Sequence, residues 1–166
     1  MNLVEKKIAT SIGTLYIVAG ETGIKSVGWE KSKNSAKELK STQDDKDKSI
    51  QKLLTDTEKQ LKEFLSGTRK TFNLPLDPDG TTFQKKVWKQ LSRIPFGTTK
   101  SYKDIATAIN NAKACRAVGS ANGKNPICII IPCHRVISAD GSLGGYSGGL
   151  NYKKKLLQIE TSKKFE

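Results

Sequence analysis

The sequence predicts an α+β fold in two successive parts, on three observations. Its first thirty residues alternate apolar and polar positions in the manner of strands, and one amphipathic helix follows. The stretch Leu74-Pro75-Leu76-Asp77-Pro78-Asp79-Gly80 is dense in prolines and turn formers, which marks a boundary. Beyond it the apolar residues recur at short helical spacings broken by glycine and asparagine. The predicted domains are therefore an N-terminal α/β domain, 1–78, and a largely helical C-terminal domain, 79–166.

In the first part, Leu15, Ile17 and Ala19 share one face, Gly20-Glu21-Thr22-Gly23 reads as a turn, and Ile24, Val27 and Trp29 follow. A hairpin or meander is expected. Residues 31–48 are rich in Lys, Ser and Asp and read as a solvated loop or marginal helix. Ile50, Leu53, Leu54, Thr57, Leu61, Phe64 and Leu65 then define a helix face, with Gly67 placed to close it in the left-handed conformation.

In the second part, Thr82 is expected to cap a helix that turns Phe83, Val87, Trp88 and Leu91 inward and stops at Ile94-Pro95-Phe96-Gly97. Ser101-Tyr102-Lys103-Asp104 reads as a capping box. Its helix has Ile105, Ala108 and Ile109 as the apolar side, and Asn110-Asn111 turns the chain into a second helix from about Lys113 to Asn122. That helix is filled with small residues and carries Arg116 as its one charge within Ala114–Asn122. Two readings stand for it: close packing inside the domain, or shape-tolerant docking on a surface without the long side chains of a major-groove reader. Ile127–Ile131 reads as a buried strand or extended core segment, Ser138–Ser142 as a hairpin turn, and Gly144–Gly149 as a glycine-rich loop before a last helix containing Leu150, Leu156, Leu157 and Ile159. Helix-turn-helix plus hairpin is a winged-helix plan.

The net charge of +13 is lopsided: up to Pro78 there are 14 Lys+Arg against 11 Asp+Glu, and from Asp79 onward 15 against 5. The second part thus carries most of the excess, which suits a polyanion such as a phosphate backbone and equally suits simple solubility. No apolar run is long enough to span a bilayer and the N-terminus lacks the apolar segment of a secretory signal, so a cytoplasmic protein with no membrane association is expected. Three cysteines without an export signal argue against a disulfide framework. A single histidine, with Cys128 and Cys133 at the wrong spacing, argues against zinc, and no metal is expected.

Cys133 lies between an apolar run and a polar segment, flanked by Pro132 and the sole histidine, His134. Taken alone, a cysteine after four isoleucines in five positions reads as buried and inert. Neighbouring side chains in an extended segment also point apart, so any proton transfer between Cys133 and His134 would use a water.

The motifs around it carry more. Ile131-Pro132-Cys133-His134-Arg135-Val136, preceded by Arg116-Ala117-Val118-Gly119 and Gly123-Lys124-Asn125-Pro126 and followed by Tyr146-Ser147-Gly148-Gly149-Leu150, closely resemble the O6-alkylguanine-DNA alkyltransferases, also called methylated-DNA-protein-cysteine methyltransferases. The motifs run in family order from about Thr82 to Glu160, while the N-terminal part is similar in size and class. The resemblance implies a ribonuclease-H-like N-terminal domain and DNA repair by direct damage reversal. The alkyl group of O6-alkylguanine would pass irreversibly to Cys133, with O4-alkylthymine a further candidate substrate. It implies His134 as a base acting through water, Glu160 as the carboxylate that orients it, Asn125 as the residue holding the turn, and Tyr102 as a phenol donating to the guanine ring. Arg116 would be the finger replacing a flipped nucleotide from the minor groove, with Ala117, Gly119, Ser120, Ala121 and Arg135 also at the DNA. Tyr146, Ser147, Gly148 and Cys128 would line the base pocket. Cys128 departs from relatives that have proline there, which bears on tolerance for bulky alkyl groups. No cofactor is expected, and the expected partner is double-stranded DNA bound by a monomer.

Two other readings remain at this point. A noncatalytic alkyltransferase-like protein would bind the lesion without transfer, although such proteins replace the cysteine. A thiol hydrolase with a Cys-His pair would turn over repeatedly, which stoichiometry distinguishes from a single-use acceptor.

Overall fold

The computed structural model describes residues 2–33, 37–38 and 45–161. The chain forms two compact units, Met1–Asp79 and Gly80–Glu166.

In the first unit, β1 (Val4–Thr10), β2 (Gly13–Gly20) and β3 (Gly23–Gly28) form an antiparallel meander, joined on the β1 side by the short parallel strand β4 (Lys37–Glu38), in the order β3-β2-β1-β4. Leu15, Ile17 and Ala19, alternating along β2, are fully buried, and so are Ile24 and Val27 of β3. Helix α1 (Asp45–Leu65) packs on β1 and β2 through Ile50, Leu54, Leu61 and Phe64. It starts five residues before the first apolar position, because Asp45 and Asp47 place negative charge at the positive end of the helix dipole. Thr57 is buried on that face with its hydroxyl donating to the Leu53 carbonyl at 2.7 Å. Gly67 ends the helix with φ +81°, as expected of a left-handed stop. The loop-or-helix reading of 31–48 falls partly outside the described residues.

The turn-rich segment before Asp79 does more than separate. Ile24 donates its N–H to the Pro75 carbonyl at 2.8 Å, Asp77 donates to the Ile24 carbonyl at 2.9 Å, and Lys25 pairs with Asp77 at 2.7 Å. The segment is therefore laced to β3 of its own unit.

The second unit is helical: α2 (Thr82–Leu91), α3 (Tyr102–Ala108), α4 (Cys115–Gly123) and α5 (Leu150–Thr161). Strands β5 (Lys100–Ser101) and β6 (Val136–Ile137) pair in parallel. The cap of α2 is Thr81, one residue before the expected Thr82, and Gln84 completes a reciprocal capping box. Ser101 and Asp104 form the expected box at α3. The turn to α4 uses Asn110 at φ +59°, a conformation asparagine tolerates. The buried side of α3 is Ile105 and Ala106; Ala108 faces outward. Trp88 locks α2 to α4 by donating Nε1–H to the Ala121 carbonyl at 2.8 Å. Leu156 and Leu157 bury the inner face of α5, whereas Leu150, expected with them, is exposed.

Ile127–Ile131 is not a strand. Ile131 donates to the Ile127 carbonyl at 3.0 Å and Ile129 has φ +73°, so the run coils into a compact turn of buried isoleucines. A β-branched residue in that region is costly, roughly 1–3 kcal/mol, and the surrounding burial holds it there. The chain then enters a 3-10 helix, Cys133–Arg135, instead of an extended segment.

Candidate active site

Asn125 builds the floor of the site. Its Nδ2 donates to the carbonyls of Ile131 at 2.8 Å and Ile127 at 3.4 Å, and its Oδ1 accepts from the Ile127 N–H at 3.0 Å. One buried amide thereby closes the turn whose end presents Cys133. Asn122 of α4 donates to the Cys133 carbonyl at 3.4 Å, tying the 3-10 helix to α4.

Cys133 is almost wholly buried, and around its sulfur stand Cys128 and Asn125 from the turn, Tyr102 from α3, Tyr146 from the glycine-rich loop and Lys153 from α5. Contact with the Cys128 thiol foremost, then the Asn125 amide and the Lys153 charge, draws the Cys133 thiol below its ordinary value in spite of burial. Burial, then proximity to Cys133, raises the Tyr102 phenol, and the same causes push Tyr146 well up, so both stay protonated at neutral pH. A Cβ added at Gly119 of α4 would meet the Tyr102 ring at 3.8 Å. A side chain at Gly144, which has φ +67°, would meet the Tyr102 hydroxyl at 2.8 Å.

Lys153 is the residue the sequence did not reveal. It is fully buried, and its ammonium donates to the carbonyls of Val136 at 2.6 Å, of Gly145 at 3.1 Å and of Leu143. Burial pulls it down to about 8 against the opposing effect of Cys133. In the run Lys153-Lys154-Lys155 nothing distinguishes it except its position three residues before Leu156, on the inner face of α5.

The second cluster lies behind the 3-10 helix. His134 Nε2 and Glu160 Oε1 are 2.7 Å apart with both side chains fully buried. A carboxylate only accepts, so Nε2 carries the proton and the imidazole's basic nitrogen is Nδ1. Burial first, only partly offset by Glu160, lowers the His134 value and keeps the ring neutral. Burial pushes the Glu160 carboxyl up, yet hydrogen bonds from His134 and Arg135 outweigh it and hold the group below its ordinary value.

Arg135 was expected at the DNA and is not available to it. It is buried, donates Nε to both Glu160 oxygens at 2.9 and 3.0 Å, donates Nη1 to the Ile94 carbonyl at 2.7 Å, and lies over the Phe96 ring. The reason is electrostatic: a buried carboxylate needs a counter-charge. Ala121 is corrected likewise, since it is buried against Trp88. Arg116, Ala117 and Ser120 lie exposed on one side of α4, with Gly119 half-buried between them and Tyr102. Ser147 stands at the rim, its hydroxyl 3.9 Å from the Cys128 sulfur, and Gly148 follows it half-buried in the loop. Cys115 is half-exposed at the start of α4. Among the described residues no group of three or more His, Cys, Asp or Glu is placed to hold a metal ion, and no helix is long and apolar enough to cross a membrane.

Similarity to known proteins extends over both units. A methylated-DNA--protein-cysteine methyltransferase of Methanosarcina barkeri is 43% identical over 153 residues, covering 92% of this chain and 94% of that one. The crystal structure of Mycobacterium tuberculosis OGT in complex with DNA superposes with a TM-score of 0.84 at 36% identity, covering 98% of this chain and 94% of that one. The Mycobacterium tuberculosis O6-methylguanine methyltransferase superposes with a TM-score of 0.83 at 36% identity, covering 96% and 93%. Residues 3–78 match the 6-O-methylguanine DNA methyltransferase, ribonuclease-like domain, and residues 82–162 match the 6-O-methylguanine DNA methyltransferase, DNA binding domain. The chain belongs to the 6-O-methylguanine DNA methyltransferase family.

Proposed function

We propose that this protein repairs DNA by direct reversal, taking the alkyl group of O6-alkylguanine onto Cys133 in a single irreversible transfer. The observation that carries the reading is the buried Cys133 sulfur, drawn toward its thiolate form at the end of the turn closed by Asn125, with the chain continuing directly into His134 and its buried Glu160 partner. Free cysteine titrates near 8.5, and displacement at carbon needs the thiolate.

In the reaction, Cys133 passes its proton through a water to Nδ1 of His134, while Glu160 holds the ring and stabilises the charge it gains. The sulfur attacks the alkyl carbon, the S–C bond forms as the C–O6 bond breaks, and the electron pair leaves on guanine. Tyr102, kept protonated, donates to the guanine ring so that the base leaves neutral; the proton on His134 restores the phenol. Restored guanine and a thioether are the products, with no cofactor consumed. The thioether has no partner that could release it, so each molecule acts once.

The DNA face we assign to the exposed side of α4. Arg116 would enter the stack from the minor groove, with Ala117, Gly119 and Ser120 small enough to let the backbone approach. Flipping a base costs a few kcal/mol, and less where alkylation has weakened its pairing. Tyr146, Ser147, Gly148 and Cys128 would form the pocket for the flipped base. A ribonuclease-H-like N-terminal domain, 1–78, a winged-helix C-terminal domain, 79–166, and a monomeric state complete the proposal.

Titration of the protein against duplex DNA carrying O6-methylguanine tests it. Repair should plateau at one lesion per protein molecule. Turnover beyond one equivalent would point to a thiol hydrolase, and binding without repair to a noncatalytic lesion binder.

A further inference from the structure

An ammonium is a costly group to bury, and packing alone would be served as well by a leucine or methionine. Lys153 is nonetheless wholly shielded from solvent on the inner face of α5. Its three ammonium hydrogens meet three backbone carbonyls: Val136 of β6 at 2.6 Å, Gly145 at 3.1 Å, and Leu143.

Two of those carbonyls lie on the chain as it enters the glycine-rich loop. The far end of the loop meets the same residue, since the Lys153 backbone N–H donates to the Gly149 carbonyl at 3.4 Å. Lys153 therefore fastens the chain both before and after Tyr146-Ser147-Gly148. Among the described residues, the carbonyls of Leu143 and Gly145 accept from Lys153 and from no other group. The loop has little of its own to hold it. Four of its six residues, 144–149, are glycine, and Gly144 and Gly149 take left-handed φ angles of +67° and +102°. Glycine loses more backbone freedom on ordering than any other residue. Against that loss the loop has one internal backbone bond, from the Gly149 N–H to the Tyr146 carbonyl at 3.0 Å.

We propose that Lys153 is a positioning residue for the base pocket: anchored in α5, it holds the loop whose Tyr146, Ser147 and Gly148 would receive the flipped base. This deepens the alkyl-transfer reading and rests on its assignment of that pocket. Fastened at both ends, the loop offers a formed wall before the base arrives. Released, it is competent for only part of the time, and apparent affinity for the lesion falls by that fraction. The charge of Lys153 is a separate contribution: it favours the Cys133 thiolate and so acts on the rate of transfer, not on capture of the base.

The test measures single-turnover transfer in wild type, K153M and K153Q with O6-methylguanine duplex in varied excess, which yields a half-saturating concentration and a limiting rate. K153M keeps the stem and loses both donors and charge; K153Q loses the charge and keeps an amide donor. The proposal expects half-saturation about tenfold higher in K153M, as for a loop in place one-tenth of the time, and a smaller rise in K153Q. Binding of undamaged duplex should stay within twofold of wild type. A residue acting by charge alone would lower the limiting rate equally in both variants and leave half-saturation where it is. Chymotrypsin gives a readout independent of repair: in K153M, cleavage after Tyr146 should quicken at least tenfold relative to cleavage after Phe83 of α2, because only the loop is freed. An unmoved half-saturating concentration in K153M, or cleavage that quickens equally at both sites as a general loss of stability would make it, overturns the proposal. Should K153M lack a cooperative urea transition, the same two comparisons are read on K153Q. If wild type itself transfers no methyl group, the repair reading fails, and the cleavage comparison still decides whether Lys153 holds the loop.

Discussion

His134 and Glu160 meet at 2.7 Å in full burial, with the carboxylate also held by Arg135. The histidine is thereby fixed in one tautomer, its basic nitrogen turned away from the carboxylate. Replacing Glu160 with Gln should leave the ring unpolarised and its tautomer unfixed. Single-turnover transfer from O6-methylguanine DNA is expected to slow by about 10²–10⁴-fold; a rate within twofold of wild type would remove Glu160 from the mechanism.

Arg135 is expected to matter for stability before chemistry. Arg135→Ala leaves Glu160 buried with half of its compensation gone, which should cost about 3–5 kcal/mol in urea unfolding. A loss below about 1 kcal/mol, the range of an exposed ion pair, would contradict the buried assignment.

These two residues show what was legible and what was not. The capping box of Ser101 and Asp104, the Asn110 turn and the small-residue helix were readable because each rests on local chemistry within a few residues. Arg135 was misread as a DNA contact because its partner lies 25 residues away, and an arginine in a basic segment ordinarily faces water. Lys153 was hidden for the same reason, since its partners are backbone carbonyls, which no sequence pattern displays. The isoleucine run was read as a buried strand or extended core segment because composition cannot show that Asn125 closes it into a turn. Cys133, His134, Glu160 and Asn125 were named through the family motif; in the structure Asn125 closes the turn that leads to Cys133, and His134 meets Glu160.

Arg116→Ala should separate docking from chemistry. The side chain is exposed, so unfolding free energy is expected to change by no more than about 0.5 kcal/mol. Repair of duplex DNA should fall well over tenfold while labelling of Cys133 by iodoacetamide is unchanged. Equal losses in both would show that Arg116 supports the fold instead.

Lys153 gives a pH signature. Its folded value of about 8 lies below the ordinary 10.5, so between these limits the unfolded chain binds a proton that the folded chain lacks. Unfolding free energy from this group therefore rises with pH across that window and is flat below it. In Lys153→Met the slope of stability against pH between 8 and 10.5 should be less positive than in wild type, whatever the change in absolute stability. Identical slopes would refute the depressed value.

Alkylation should loosen the protein. Cys133 is 1% exposed, so an added alkyl group overpacks the pocket. Overpacking costs typically about 1–3 kcal/mol, which corresponds to a fall of roughly 2–10 °C in the melting midpoint for a chain of this size. An unchanged midpoint after complete alkylation would count against it.

The central claim is that Cys133 is the acceptor, and mass spectrometry of the intact protein and its peptides after incubation with O6-methylguanine DNA tests it most directly. The account predicts a single methyl group on Cys133, stoichiometric with the lesion lost, and no transfer to a Cys133→Ala variant. A methyl group on Cys128 or Cys115, or lesion loss with no gain in protein mass, would contradict it.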